Sequence, residues 1–242
     1  METFKETHPY NLQERIPDGT RILIVGTAPP PRFSNPNCEK VRAHRLDFKF
    51  FYGSGDNYLW KWMNEIAAEK GTPLPSDEAG PEEYSAAARS FLKAHKIWMK
   101  DVLQTYQRKP EDPCGAADTS LKPPRVEDCT NFLEVLEEHP SVEAVVFTSE
   151  LAGAWTFMAM RDQELLRDYQ QAFKSHKAQE KGKVENAYVD FKKEPFHAAE
   201  ICGRQIIFFI AISPRQRSGS KKGVREHHKK ALYKALLFPH EV

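Results

Sequence analysis

The chain has no apolar run approaching the roughly 18 residues that a membrane-spanning helix needs. Its opening residues, METFKETHPY, contain no apolar core of a secretory signal. A cytoplasmic protein with no membrane partner is therefore expected. Net charge is almost absent, with 35 Lys and Arg against 34 Asp and Glu, a formal net of +1. Such balance provides no global field for nucleic acid or a bilayer, so any basic patch has to be local. Cysteine is scarce. Cys38, Cys114, Cys129 and Cys202 are widely spaced, and free, partly buried thiols are the expectation. Internal repeats are missing. So are GxxxxGK[ST] and GxGxxG, which disfavours nucleoside triphosphate and dinucleotide chemistry.

What is present suits one α/β domain. The 242 residues are 40% hydrophobic, enough for a real core, and 29% charged. Residues 1–20 are polar and read as a surface arm. Arg21–Val25 (RILIV) is a short, continuously apolar run, as in a strand buried on both faces of a parallel sheet. Asn57–Glu69 and Glu82–His95 read as helices, followed by the apolar segment Ile97–Leu103. Residues 108–124 are Pro-rich and irregular, and Val126–His139 reads as helical. Glu143–Thr148 is the next buried strand, with a helix at Glu150–Arg161. Residues 162–184 form a long polar helix and loop, read as an insertion. Ala187–Phe191 reads as a short strand and Gln205–Ile212 as the most apolar strand. Val224–Leu237 closes the chain as a helix. Strands alternating with helices predict a parallel sheet with helices on both sides.

Ligands of such sheets bind beyond the carboxyl ends of the strands. Three loops leave those ends, Gly26–Phe33, Thr148–Glu150 and Ser213–Lys222, and should lie side by side. In GTAPPPRF, Gly26 permits a tight turn and close approach, and Pro29–Pro31 stiffen the loop before binding. In FFYGSGDNYLW, residues 50–60, aromatics precede a Gly-Ser-Gly turn. Asp56 and Asn57 there suit either a helix cap or the polar partner of a stacked heterocycle. In SPRQRSGSKK, residues 213–222, Arg215, Arg217, Lys221 and Lys222 form a local basic cluster ahead of a helix, fit for an anion or for solvent alone.

At these residues the sequence resembles the uracil-DNA glycosylase superfamily, nearest its hypoxanthine-DNA and mismatch-specific uracil branches. Gly26-Thr27-Ala28-Pro29 matches the G-x-x-P turn after a strand. Tyr52-Gly53-Ser54-Gly55-Asp56-Asn57-Tyr58-Leu59-Trp60 matches an aromatic–Gly–Asn–aromatic–Trp segment, with Leu59 in place of an aromatic. Ile212-Ser213-Pro214-Arg215 matches a strand followed by a Ser-Pro loop. The resemblance implies a three-layer α/β/α domain spanning residues 1–242, with a central, mostly parallel four-stranded sheet. It implies a monomer that excises a deaminated base, uracil or hypoxanthine, flipped out of DNA. Tyr52 would stack on that base, and Gly26, Thr27, Ala28 and Pro29 would shape the pocket. Thr148 stands where many members read the base edge. Ser213 and Pro214 would grip the backbone, Arg215 would push toward the vacated space, and Arg217, Lys221 and Lys222 would meet phosphates.

Two departures bear on chemistry. Ala28 stands where several branches have Asp or Asn, and Ala211-Ile212 where a His often precedes Ser-Pro. The polar catalytic role therefore falls to Asn57. Asp56, Asp101 and Asp118 are read as helix cap, core-edge pairing and loop turn. No cofactor or metal is expected. Cys114 and Cys129 faintly resemble half of an iron–sulfur ligand set, but its other pair is missing. Two other readings stay open. One is a catalytically silent relative that binds nucleic acid or a nucleotide. The other is a nucleoside or sugar hydrolase on the same layout, which the basic 215–222 loop disfavours.

Overall fold

The computed structural model describes residues 4–41, 43–75, 79–183, 185–214 and 225–239. Among them are seven α-helices and a five-stranded, mostly parallel sheet. The strand order is β3 (Ile97–Asp101), β2 (Ile22–Gly26), β5 (Ala144–Phe147), β7 (Arg204–Ile210) and β6 (His197–Ile201). The first four run parallel, and β6 is antiparallel on the edge, one strand more than expected. All five residues of β2 are buried, which accounts for its unbroken apolar run. A separate two-stranded ribbon pairs β1 (Lys5–Thr7) with β4 (Thr105–Gln107).

Helices α1 (Leu59–Glu69), α2 (Pro81–Ala94), α6 (Glu185–Lys193) and α7 (Glu226–Leu237) form one group. Trp62 of α1 packs on Tyr233 of α7, and Phe91 of α2 on Phe238. The remaining helices are α3 (Phe132–Glu138), α4 (Glu150–Ala159) and α5 (Gln163–Glu180). Here α4 leans on β2 and β5, with α3 and α5 beside it.

Four expectations are corrected. Residues 187–191 are helical, inside α6. Tyr188, Val189 and Lys192 are buried together, a helical spacing that a five-residue apolar run cannot announce. Strand β6 was concealed by its polar alternation, with Ala199 and Ile201 inward and Ala198 and Glu200 outward. It joins β7 through Cys202 and Gly203, both at positive φ (52° and 73°), as a two-residue hairpin requires. Among the described residues, 4–20 are not a surface arm. Glu6, His8, Tyr10, Asn11 and Ile16 are buried. Finally, Cys38 and Cys114 form a disulfide across 76 residues, while Cys129 and Cys202 remain thiols. Wide sequence spacing hid a pair that two neighbouring loops bring together.

The segment read as an insertion is α5 and its flanks. Its inner face carries a buried polar group. Lys192 Nζ donates to His176 Nε2 at 3.1 Å and contacts Glu180 Oε2 at 3.3 Å, with the Lys177–Glu150 pair nearby. Burial, then the Lys192 charge, lowers the His176 pKa from 6.5 to about 4. The unfolded chain then binds a proton that the folded chain refuses throughout that window, so folding stability falls as pH drops from 6.5 toward 4. Urea midpoints measured across this range should decline with acid, and His176→Gln should flatten the decline.

Thiol titration checks the disulfide. The unfolded, non-reduced chain should expose two reactive thiols and the reduced chain four. Reduction should lower stability by about 4 kcal/mol, the loop-entropy value for a closure of this length.

Candidate functional site

Register sets the site. In the sheet Gly26 pairs with Asp101, and Val25 with Phe147. The strand ends therefore present Gly26, Asp101 and Thr148 in one row. A Cβ on Gly26 would lie 2.2 Å from Tyr52 Oη and 2.4 Å from Asp101 Oδ1. Glycine is required there because two polar side chains from elsewhere in the chain close over it. It backs the cavity rather than lining it.

The Pro-rich turn is clamped from two directions. Arg108, buried, donates from Nε to Glu6 Oε1 at 3.0 Å, from Nη1 to Gly115 O at 2.6 Å and from Nη2 to Pro29 O at 2.9 Å. Ser34 Oγ donates to the other Glu6 oxygen at 2.6 Å. On the other side Arg32 forks onto Asp47 at 2.6 and 2.8 Å and reaches Ser54 Oγ at 2.7 Å. Burial alone would raise the Asp47 pKa. Hydrogen bonds from Arg32 and from the Gly55 and His44 amides outweigh it and hold the carboxyl below its ordinary range. These links tie turn 26–33 to segment 50–60, which is why motifs distant in sequence share one wall.

The result is a small cavity, about 120 Å³, at the carboxyl end of the sheet. Of the expected residues, Thr27, Ala28, Pro29, Tyr52, Asn57, Thr148, Ser213 and Pro214 line it. The Tyr58 amide donates to Pro214 O at 3.0 Å, bringing the Ser-Pro segment against the aromatic one. Tyr52 adopts positive φ (56°), costly for a bulky residue, and its Oη meets Thr148 Oγ1 at 2.8 Å. Burial, then the Asp101 charge, pushes the Tyr52 phenol well above its ordinary pKa. It stays a neutral hydroxyl. Arg215, Arg217, Lys221 and Lys222 lie outside the described residues.

Asn57 lines the cavity, but its Oδ1 accepts from the Leu59 amide at 2.8 Å and so caps α1. It therefore borders the cavity and also holds the first amide of α1. Its Nδ2 can donate to a ligand, and Oδ1 keeps a second lone pair.

Two carboxylates given structural readings also border the cavity, and Asp56 makes a third. Asp118 starts a short 3-10 turn and accepts from Thr27 Oγ1 at 2.6 Å. Asp101 does pair at the core edge, with His8 Nε2 at 2.9 Å, and its Oδ1 is buried without a hydrogen-bond partner. Sequence reasoning named Asp101 and preferred for it the core-edge pairing. The available signal was positional: a lone acid ending the strand that pairs with β2.

No family model and no curated protein matches the chain. It is similar to a solution NMR structure of a "putative Uracil DNA glycosylase" from Methanosarcina acetivorans. The identity is 17% and the TM-score 0.36, over 66% of this chain and 92% of that one. A likeness this distant carries no functional weight.

Gly26→Ala tests the geometry. The added methyl must displace Tyr52 or Asp101, and a clash of this kind costs about 1–3 kcal/mol. A melting temperature that stays within error of wild type would show that the two side chains do not close over Gly26.

Proposed function

We propose that the chain is a DNA glycosylase. It takes a deaminated base, uracil or hypoxanthine, swung out of the duplex into the cavity and hydrolyses its N-glycosidic bond. One observation carries this reading. A stacking-capable ring, Tyr52, a free amide donor on Asn57 and the carboxylates Asp101 and Asp118 converge on one small cavity at the carboxyl ends of the strands.

Cleavage of an N-glycosidic bond builds positive charge on the sugar and negative charge on the departing base. Extrusion costs a few kcal/mol, offset by stacking and by contacts inside the pocket. Asn57 Nδ2 and the amides of the Thr27–Ala28 turn would donate to the departing base. Fixed donors of this kind are worth about 3–4 kcal/mol each where measured in other enzymes. Water supplies OH to the sugar carbon and H to the base, so no cofactor enters the balance. The acid absent at Ala28 is made good by Asp118, which would orient that water beside the developing cation. Ser213 and Pro214, with Arg215, Arg217, Lys221 and Lys222, would hold the DNA strand, and the chain would act as a monomer. The engagement of Asn57 Oδ1 in a helix cap favours the second reading, a silent nucleic-acid-binding relative.

Oligonucleotides bearing uracil, hypoxanthine or xanthine, incubated with excess enzyme and then cleaved at abasic sites, decide between them. Product from at least one lesion is expected, with DNA affinity falling steeply as salt is raised. Asn57→Ala should lower the excision rate at least about tenfold, with a cap loss of about 1 kcal/mol in stability. No abasic sites from any lesion would overturn the glycosylase reading.

A further inference from the structure

The wall of the cavity that carries Asp118 is anchored differently from the others. Every residue from Lys109 to Thr119 is exposed or half-buried, while Arg108, Ser120 and Leu121 at the base of this loop are buried. The base closes like a hairpin. Arg108 stands opposite Leu121 in an antiparallel bridge, and the Lys109 amide donates to Ser120 O at 2.8 Å. Above the base the ties are polar. Ser120 Oγ donates to Asp112 Oδ2 at 2.5 Å, Arg108 Nη1 to Gly115 O at 2.6 Å and Thr27 Oγ1 to Asp118 Oδ1 at 2.6 Å. Hydrogen bonds within reach of water gain little net, and an ordered loop gives up backbone freedom at every residue. A loop with no buried side chain above its base belongs to the least stable part of a fold.

What offsets this is covalent. Cys114, half-buried within the loop, is bonded to Cys38, which is 1% exposed. Cys38 stands on the firm side. Its amide donates to Asn35 O at 2.9 Å, and Asn35 is itself buried. The turn leading there is held by Ser34 on Glu6 and by Arg32 on Asp47. The bond thus joins a loose element to a fixed one. Ala116 and Asp118, just beyond Cys114, line the cavity.

We propose that the Cys38–Cys114 disulfide is a redox latch on the cavity: oxidised, it holds Asp118 in the wall, and reduced, it releases residues 109–119 and the Asp118 carboxylate with them. Cys114 is the more accessible partner, so one thiolate of a reducing dithiol attacks its Sγ. The S–S bond breaks, and its electron pair leaves on Cys38 Sγ, which takes a proton. The Pro113 carbonyl lies 3.6 Å from that sulfur, placed to accept the new S–H. The second thiolate of the dithiol then displaces Cys114. The protein gains two electrons and two protons, and the dithiol becomes a disulfide. The loosening of the loop is independent of the function proposed above. Its effect on excision rests on the glycosylase reading, in which Asp118 orients the water.

The test uses the full chain in three forms: oxidised, reduced with dithiothreitol, and reoxidised with diamide. Glu111 is exposed in the loop, and a glutamyl endopeptidase cuts after it when the loop unfolds locally. Cleavage between Glu111 and Asp112, identified by mass, should be at least about tenfold faster in the reduced chain, with the circular dichroism of the fold retained and no new cut elsewhere. Reoxidation should restore resistance. Single-turnover excision from duplexes bearing uracil, hypoxanthine or xanthine should be at least about tenfold slower in the reduced form and should recover on reoxidation. The double variant Cys38→Ser with Cys114→Ser should behave as the reduced form under either condition. Cys202→Ser, which removes an exposed free thiol, should respond as wild type does. Equal cleavage at Glu111 in both forms, or reduction that opens cut sites throughout the chain, overturns the latch. A loosened loop with unchanged excision overturns its control of the site. A loosened loop with no excision of any lesion in either form overturns the glycosylase reading and leaves the latch in place. Reduction and reoxidation use unaltered protein, so they still decide should the double variant fail to fold.

Discussion

The Arg108 guanidinium is the constraint on which the cavity depends. It is buried, and its three donating nitrogens reach three different segments: Glu6 of β1, the Pro29 carbonyl of the stiff turn, and Gly115 of the loop that carries Asp118. Remove any one and a wall of the cavity loses its anchor. The pair is not obviously a source of stability. Burial raises the Glu6 pKa, and the Ser34 hydrogen bond and the Arg108 charge only partly counter it. Buried ion pairs often gain little over an apolar substitute, and their use lies in fixing one arrangement among several. Here the arrangement fixed is the cavity at the strand ends.

The same logic extends outward. Arg32 with Asp47 fastens the turn to the aromatic segment, and the Cys38–Cys114 disulfide fastens the stretch after the turn to the loop before Asp118. His8 and Asn11 fasten the end of β3. Each tie spans a long stretch of sequence and converges on the carboxyl ends of the strands. Such over-determination lets Tyr52 hold a positive φ and Asp101 keep an unpaired oxygen. Both are costs that a site can carry when the surroundings leave no alternative. Under the proposed function such preorganisation would matter, because base extrusion itself already costs a few kcal/mol.

The polarity of the cavity follows from these ties. Carboxylates are plentiful and free donors few, an outcome that motif reading did not anticipate. Ala28 suggests a pocket without an acid, yet Asp101 and Asp118 occupy it from strands and loops that carry no motif.

Much of the framework was legible in the chain alone. RILIV and QIIFFIAI announce buried strands because continuous apolar runs have only one use in a sheet covered on both faces. Gly26, Pro29, Thr148 and Ser213 were legible as neighbours because loops at the carboxyl ends of parallel strands must cluster, whereas Tyr52 and Asn57 joined them only through the family resemblance. Other features were not. Residues 187–191 could have been strand or helix, since a short apolar run fits both periods. The buried state of Glu6 and His8 was invisible, since polar residues are buried only when partners far along the chain satisfy them. The Cys38–Cys114 bond and the free oxygen of Asp101 belong to the same class. Local sequence determines which segments can be strands and turns. Tertiary structure alone decides which polar atoms meet, because hydrogen bonds and disulfides between distant segments exist only once the sheet has brought those segments together.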